Sequence, residues 1–406
     1  MTVNAADYGF ETVGGVLLVG GLPLPQLVER IGSTPFYAYD RRAISQRMAE
    51  LRRSMPSSLR ISYAVKANPM PAVVQHLASL VDGFDVASAG EMHGALNTPI
   101  KPASISFSGP GKSAEELQQA IAAGVLINVE SRRELETIAS FGNRSPRPRV
   151  AIRVNPDFQL RGSGMRMGGG AQPFGIDAEA VPAVLARIAE LPVTFDGFHV
   201  FAGSQNLNAN VLVEAHEKTV DLILALSRHA KSTIREVIIG GGMGIPYAPH
   251  DLPLDSTVVA AGLAHQVERI GKALPQAAVT LELGRYIVGE SGIYVCRVVD
   301  RKESGGAVFL ITDGGMHHHL AASGNLGQVI RRNFPIAIGT KMSETVTERV
   351  NVHGPLCTPL DVLAKDLDTA CADVGDLVVV FQSGAYGATA SPRDFLSHPH
   401  PREVLV

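Results

Sequence analysis

The sequence predicts an α/β protein in which an eight-stranded (β/α)8 TIM barrel precedes a mostly antiparallel β domain. From about residue 60 to 285, short β-branched runs alternate with amphipathic segments, as in repeated βα units around a parallel sheet. Eight such units favour a closed barrel. After Arg285, strand-like runs follow one another with hardly a helical segment among them, which indicates a second domain.

The barrel prediction depends on eight apolar runs bounded by turn residues. Such runs are typical of strands that are buried on both faces of a parallel sheet. Between them, apolar residues at helical spacing predict helices at 114–123, 132–140, 178–190 and 211–229. The predicted strands are 61–65, 84–87, 105–108, 126–129, 150–154, 197–200, 237–239 and 281–283.

The length of the chain allows two domains. With 406 residues and 45% hydrophobic composition, it can bury more than one core. We predict an N-terminal segment over 1–35, whose strand-like stretch pairs with the β domain, a barrel over 36–284, and a β-sandwich or β-barrel domain over 285–406. The predicted strands of that last domain are 293–300, 307–312, 350–353 and 376–382.

Composition argues against nucleic acid and membranes as partners. The formal net charge is -3, and no long basic block could follow a phosphate backbone. The apolar run at 13–24 is too short and too rich in glycine and proline to span a bilayer. Three cysteines without zinc or CxxC spacing fit a reducing compartment, so we expect a cytoplasmic protein.

Polar residues at the carboxyl ends of the barrel strands indicate the active site, because βα barrels assemble their sites there. Lys66 follows the first strand, and His199 ends the sixth. The glycine-rich segment 240–244, called the glycine segment below, follows the seventh strand, and Glu282 and Arg285 lie at the end of the eighth. These unlike groups are expected to converge on one mouth of the barrel.

Lys66 and the glycine segment together suggest a pyridoxal 5′-phosphate site. Burial disfavours a charged ammonium, so a lysine at the end of an apolar strand is suited to forming an imine. The amides of Gly241 and Gly242 can approach a phosphate closely, and Arg285 can add a charged donor. The alternative interpretations are a surface lysine and a tight turn between strand and helix.

Glu282 favours decarboxylation within that chemistry. A carboxylate about 4 Å from a pyridine nitrogen favours the protonated ring by about 4 kcal/mol at an effective dielectric of about 20. A protonated ring takes up the charge that remains on Cα when carbon dioxide leaves. The alternative is a surface ion pair between Glu282 and Arg285.

The chain resembles the fold-type III pyridoxal-phosphate decarboxylases that act on diaminopimelate, ornithine and arginine. The resemblance runs from about Pro35 to the C-terminus. GSGMRMGGG and DGGMHHHLAASGN are similar to the pyridoxal-dependent decarboxylases associated with exosortase A systems, and to the decarboxylase of carrier-bound glutamate in aminoglycoside biosynthesis. The segments that carry the family resemblance, in order, are YAVKAN, FDVASAGE, IRVNP, GFHVFAGSQ, GGGMG, ELGRY, GPLCTPLD and QSGAYG.

The resemblance implies a role for each matching residue. Lys66 would form the Schiff base, His199 would stack on the ring, and Glu282 would contact the pyridine nitrogen. Taken alone, without the surrounding motifs, His199 would more often be a core histidine. The implied cofactor-binding residues are Lys66, Asp85, His199, Ser204, Gly241, Gly242, Glu282, Gly284, Arg285 and Tyr386.

The same resemblance implies shared active sites in a homodimer. Cys357 would come from the partner subunit and return a proton to Cα, although a lone cysteine could also be an apolar filler. Arg153, Thr358 and Asp361 are expected to line the substrate position. Diaminopimelate decarboxylases carry CESGD where this chain has CTPLD. The glutamate that contacts the distal end of the substrate in those enzymes is therefore missing here, so we expect poor activity on diaminopimelate. The substrate is an amino acid, free or bound to a carrier protein.

Three other functions remain open at the level of sequence. These are diaminopimelate decarboxylation itself, an amino acid racemase on the same barrel, and a non-catalytic homologue that binds the cofactor. The presence of Glu282 argues against a racemase, and the presence of Lys66 argues against a non-catalytic homologue. A metal site in the run His317, His318 and His319 is not expected, because adjacent residues on an extended strand point to opposite faces.

Overall fold

The chain forms two compact units. The computed structural model describes residues 3–142, 147–160, 165–248, 250–326 and 331–406. The first unit, called the barrel unit, comprises Met48–Gly244 and Pro253–Gly284. The second, called the β unit, comprises Met1–Arg47, Ile245–Leu252 and Arg285–Val406.

The barrel unit confirms the predicted eight-stranded parallel barrel. In the part of the chain that the structure describes, each strand pairs in parallel with the next, and the eighth pairs with the first through Leu283 and Tyr63, which closes the ring. All eight predicted strands are present, several of them longer at one end. They are β1 Leu59–Ala64, β2 Gly83–Val86, β3 Ile105–Phe107, β4 Leu126–Val129, β5 Arg149–Asn155, β6 Thr194–Val200, β7 Glu236–Gly240 and β8 Ala278–Leu283.

Helices connect the barrel strands, and five of the seven that the structure describes after β1 to β7 have an N-terminus capped by a polar side chain. Ser113 and Glu116 form a capping box at the start of Ala114–Ala123. Asn208 accepts hydrogen bonds from two amides of the long helix Ala209–Ser227. The helix predicted at 178–190 begins with a 3-10 turn. The helices after β1 to β7 are Pro71–Leu77, Ala89–Leu96, Ala114–Ala123, Arg132–Ser140, Val181–Ile188, Ala209–Ser227 and Ser256–Ala273.

The β unit is a mixed sheet in which most strand pairs are antiparallel, as predicted. The neighbours run in the order β11-β14-β9-β10-β12-β13, with β10 and β12 parallel. A core of buried residues, including Ile293, Val295, Val379 and Phe381, packs beneath the sheet. The strands are β9 Gly292–Ser304, β10 Ala307–Thr312, β11 Ile336–Ile338, β12 Thr347–His353, β13 Val362–Ala370, β14 Leu377–Val380 and β15 Arg402–Leu405.

The N-terminal region departs from the prediction in two ways. Strands Thr12–Val13, Val16–Val19 and Leu22–Pro23 form a small sheet of their own, followed by the helix Leu24–Ile31. Within the β unit this small sheet shares a hydrophobic core with the main sheet, and Leu17 N donates to Gly339 O at 2.8 Å.

The strand Phe36–Tyr39 falls within the range 36–284 that was predicted for the barrel, but it lies in the β unit instead. It pairs with β9 on one side and with β15 on the other. All four of its residues are buried, as expected of an inner strand that has a neighbour on each side. The helix Arg41–Ser54 then leads into β1. No described helix combines the length and the apolar composition that crossing a bilayer requires.

Candidate active site

Lys66 lies at the carboxyl end of β1 and contacts a buried carboxylate. The strand ends at Ala64 and passes into a short 3-10 turn that contains the lysine. Lys66 Nζ is 3.1 Å from Asp85 Oδ2, and the lysine side chain is 38% exposed whereas that of Asp85 is 1% exposed. The structure thus brings together two residues that the sequence predicted to share a site, on neighbouring strands β1 and β2. The burial expected for Lys66 is wrong, because its side chain is partly exposed and the neighbouring carboxylate favours the charged ammonium.

His199 and Glu282 form a second pair at the ends of β6 and β8. His199 Nε2 lies 3.0 Å from Glu282 Oε2, and the two side chains are only 2% and 3% exposed. Among the residues that the structure describes, His199 Nδ1 and Glu282 Oε1 have no hydrogen-bond partner. Buried polar atoms are normally paired, so these two atoms are suited to contacts with a bound molecule.

The glycine segment follows β7, between the strands that carry His199 and Glu282. Gly242 has a φ of +67°, a left-handed conformation that favours glycine. A Cβ at this residue would lie 2.9 Å from the side chain of Leu212 and 3.3 Å from Gly203 O. The segment is also bound to the loop after β6, because Asn206 N donates to Gly242 O at 3.0 Å.

Ser204 belongs to that same loop. It forms a short strand with Gly203, which pairs with Met165–Arg166. The glycine-rich stretch 162–170, which contains GSGMRMGGG, lies in part outside the described residues. Because Asn206 pairs with Met243, the loop that carries Ser204 runs beside the glycine segment, and the barrel unit places Ser204, Gly241 and Gly242 on neighbouring stretches of backbone.

Arg285 and Tyr386 contact each other within the β unit. The guanidinium carbon of Arg285 lies 4.5 Å from the centre of the Tyr386 ring. Its Nη1 donates to the hydroxyl of Tyr247 at 2.5 Å. Arg285 Nε is buried, and no group in the described part of the chain accepts its hydrogen bond. Tyr386 has a φ of +54°, a conformation that a non-glycine residue adopts only when its surroundings enforce it.

Cys357 lies at an exposed turn of the β unit, and Asp361 shapes that turn. The carboxylate of Asp361 accepts hydrogen bonds from Met316 N at 2.6 Å and Leu356 N at 2.8 Å. Burial raises the pKa of this carboxyl group. Both oxygens are committed to backbone amides, so Asp361 holds the turn in place, and its expected contact with a substrate amine remains a prediction. Thr358 is half-buried in the same turn.

Arg153 is paired rather than free. Its Nη1 lies 2.7 Å from Glu130 Oε1, and the two side chains are 7% and 1% exposed. The guanidinium also lies 5.1 Å from the centre of the Phe174 ring. Glu130 accepts further hydrogen bonds from Gly109 N at 2.5 Å and Gly175 N at 3.1 Å. Arg153 therefore belongs to a buried network, and its expected contact with substrate remains a prediction.

The run His317, His318 and His319 lies in a turn, which corrects the extended strand assumed from sequence. His318 N and His319 N both donate to Gly315 O at 3.0 Å, so the chain folds back on itself there. Burial lowers the pKa of His317 to about 4 and those of His318 and His319 to about 3. Across the described ranges, no group of three or more histidine, cysteine, aspartate or glutamate side chains is arranged to hold a metal ion.

Sequence reasoning missed the polar residues inside the barrel. Glu130, Ser108 and Asn128 are all buried and hydrogen-bonded to residues of the predicted site or to one another. The available signal was a polar residue within an otherwise apolar strand run, as in FSGPG and INVES. Such residues are costly to bury without a partner, so they indicate a polar interior even where no motif does.

Comparisons with known proteins agree with this geometry. The family model "Pyridoxal-dependent decarboxylase, pyridoxal binding domain" matches residues 41–289. The L-glutamyl-[BtrI acyl-carrier protein] decarboxylase of Niallia circulans is 38% identical over 92% of this chain and 88% of its own length. The diaminopimelate decarboxylase of Aquifex aeolicus is 33% identical over 97% of this chain and 91% of its own length.

Solved structures extend the similarity to the whole fold. The crystal structure of diaminopimelate decarboxylase from Helicobacter pylori, complexed with L-lysine, superposes with a TM-score of 0.82 at 27% identity, covering 94% of each chain. Its fold includes the barrel that the prediction placed in this chain. The chain belongs to the fold-type III pyridoxal-dependent decarboxylases, a family of lyases that use pyridoxal 5′-phosphate as cofactor.

Proposed function

We propose that the chain decarboxylates an amino acid, free or bound to a carrier protein, with pyridoxal 5′-phosphate held on Lys66. One observation carries this proposal. The groups suited to the chemistry follow five consecutive strands of the barrel: His199 on β6, the glycine segment on β7, Glu282 on β8, Lys66 after β1 and Asp85 on β2. All of them lie at the carboxyl ends of those strands.

The residues present fit the cofactor. Glu282 Oε1 is a buried acceptor that has no donor among the described residues, as a carboxylate facing a protonated ring nitrogen requires. The glycine segment leaves no room for a Cβ at Gly242, so its amides can approach an anion directly. When bound, pyridoxal phosphate supplies an electron sink for the pair of electrons that the departing carboxyl group leaves behind.

The chain's own residues then have separate tasks. Asp85 pairs with the Lys66 amine and would hold it in position at the carboxyl end of β1. Glu282 attracts positive charge at the position of the ring nitrogen, which favours the protonated ring. His199 is fixed by its contact with Glu282, so the imidazole has a single orientation available for packing against the ring.

The phosphate contacts are proposed residue by residue from the family resemblance. Ser204, Gly241, Gly242 and Gly284 would offer backbone amides and a hydroxyl. Arg285 and Tyr386 would add a guanidinium and a phenol. The support for Arg285 is its buried Nε, which no group in the described chain accepts and which an anion would satisfy.

Cys357 is proposed to act across a homodimer. On its own chain the thiol is exposed, whereas Cys296 is buried in the sheet. An exposed thiol on a turn held firmly by Asp361 can enter the active site of a partner subunit and deliver a proton to Cα. The proposal therefore includes two shared active sites. A cytoplasmic location is proposed as well, because the cysteines described here form no disulfide.

The substrate is proposed to carry no distal ammonium. Thr358 stands next to Cys357 where diaminopimelate decarboxylases have a glutamate, and it cannot pair with such a group. A relative that decarboxylates glutamate on an acyl-carrier protein is similar over 92% of this chain, which supports a carrier-bound acidic substrate. Membership of the exosortase-associated subgroup remains a prediction from its motifs.

Carbon dioxide release from a panel of substrates tests this proposal. The panel should include free glutamate, carrier-bound glutamate, meso-diaminopimelate, ornithine and lysine. We expect turnover of an acidic or carrier-bound substrate and poor turnover of meso-diaminopimelate. Diaminopimelate turned over as fast as any other substrate would overturn the assignment, and the Lys66→Ala variant serves as the blank.

A further inference from the structure

A chain of hydrogen bonds crosses four neighbouring strands of the barrel and ends at Lys66. Asp85 Oδ2 contacts the Lys66 amine at 3.1 Å, while Asp85 Oδ1 accepts a hydrogen bond from Ser108 Oγ at 3.0 Å. Ser108 Oγ in turn accepts from Asn128 Nδ2 at 2.9 Å. Lys66, Asp85, Ser108 and Asn128 come from the ends of β1, β2, β3 and β4 in that order.

The direction of every hydrogen bond in this chain is fixed. An ionised carboxylate can only accept, so the hydroxyl proton of Ser108 points to Asp85. The lone pairs of Ser108 then face Asn128, which must present its amide nitrogen and not its oxygen. Lys112 Nζ donates to the backbone oxygen of Asn128 at 3.0 Å, which holds that residue in place.

Asn128 has no evident structural reason to be polar. It is fully buried within the apolar run of β4, and its Oδ1 has no partner among the described residues. A buried amide with an unsatisfied oxygen is destabilising, and such groups persist mainly where they serve a function. In the described structure the side chain of Asn128 donates to Ser108, and Ser108 in turn donates to Asp85.

We propose that Ser108 and Asn128 are positioning residues that act on the Lys66 amine through Asp85. With both donors in place, Asp85 Oδ1 is anchored and Oδ2 is directed at the lysine. Without the Ser108 hydroxyl, Oδ1 keeps the longer contact to Ser106 Oγ at 3.5 Å, so the carboxylate can turn away. The Lys66 ammonium then loses part of its stabilisation, and the neutral amine is present at lower pH.

Glu91 is a further charged group near this pair. It interacts electrostatically with both Asp85 and Lys66, and burial raises its pKa. Its carboxylate accepts from Ala87 N at 2.7 Å and contacts neither Ser108 nor Asn128 in the described structure. Substitutions at those two positions should therefore leave the contribution of Glu91 unchanged.

The inference rests on the proposed role of Lys66, and it can be tested without the cofactor. In the apoprotein, labelling of Lys66 by trace acetic anhydride is measured against pH by peptide mass spectrometry. The Asp85→Asn variant removes the carboxylate charge and so gives the full shift of the labelling midpoint that loss of this contact causes. We expect Ser108→Ala and Asn128→Ala to lower the labelling midpoint in the same direction by about 0.5 to 1 pH unit, which is roughly three- to tenfold in reactivity at a fixed pH.

Three comparisons distinguish a positioning role of Ser108 and Asn128 from a general destabilisation of the fold. Ser108→Thr keeps the hydroxyl and should restore the midpoint. Ser106→Ala is the matched control on the same strand, and its longer contact predicts a much smaller shift. Asn128→Ala should have no additional effect in the Ser108→Ala background, because Asn128 acts only through Ser108.

Additive shifts of Asn128→Ala and Ser108→Ala, or an unchanged midpoint in both while Asp85→Asn shifts, would overturn the inference. A variant that fails to fold is replaced by another substitution that also removes the donor, Ser108→Gly or Asn128→Leu. A failure of the proposed function looks different. In that case the Lys66→Ala protein would retain bound pyridoxal phosphate, whatever the labelling experiment shows.

Discussion

Glu130 is a buried carboxylate on which three hydrogen-bond donors converge, and its removal is expected to destabilise the barrel unit strongly. Glu130→Ala leaves Arg153, whose side chain is 7% exposed, without its partner at 2.7 Å. Breaking a buried ion pair by removing one partner costs about 3–5 kcal/mol, because an uncompensated charge stays inside. The amides of Gly109 and Gly175 lose their acceptor in the same step.

The variant that removes Arg153 should destabilise the barrel unit less than the variant that removes Glu130. Arg153→Met leaves Glu130 with its two amide donors, so the expected loss is about 1–3 kcal/mol. Urea unfolding followed by circular dichroism measures both variants. The surface pair of Glu136 with Arg187, at 2.7 Å in the same unit, gives the matched control, and Glu136→Ala should change the unfolding midpoint little. Equal losses in Glu130→Ala and Glu136→Ala would refute the reasoning.

Three further predictions concern the cofactor site and the histidine turn. Glu282→Gln should retain the bound cofactor but lower kcat about 10²–10³-fold, since the charge that favours a protonated ring is gone; unchanged kcat would refute this. Gly242→Ala, at a φ of +67°, should weaken cofactor affinity roughly tenfold in a fluorescence titration, whereas Gly271→Ala, with open space at its Cβ, should not. The pKa of His317 falls to about 4 on burial, so its contribution to stability is present above about 6.5 and lost as pH falls toward 4. His317→Phe should therefore make thermal stability less dependent on pH over that range, and an unchanged slope would contradict the assignment.

The barrel could be read from the sequence because its strands are buried on both faces. Such strands appear as continuous apolar runs, and β4 has the predicted bounds. The strands of the β unit and their pairing were harder to predict from the sequence. β13 alternates charged and apolar residues as in VLAKDLDTA, which lowered its signal, and the pairing of the strand Phe36–Tyr39 with β9 joins residues far apart along the chain.

The site was predictable where strand ends carried distinctive residues. Lys66, His199 and Glu282 could be placed in this way, because the register of a parallel barrel fixes where its strands end. The side chains that contact these residues could not be predicted from the sequence. Nothing in the sequence says that Glu130 accepts from Arg153, since that contact depends on side-chain packing between β4 and β5.

Borohydride reduction of the cofactor-bound protein, followed by peptide mass spectrometry, tests the central claim most directly. The account predicts a pyridoxyl group on the peptide that contains Lys66, and no stable attachment in the Lys66→Ala variant. A pyridoxyl group on another lysine, such as Lys112, would contradict it.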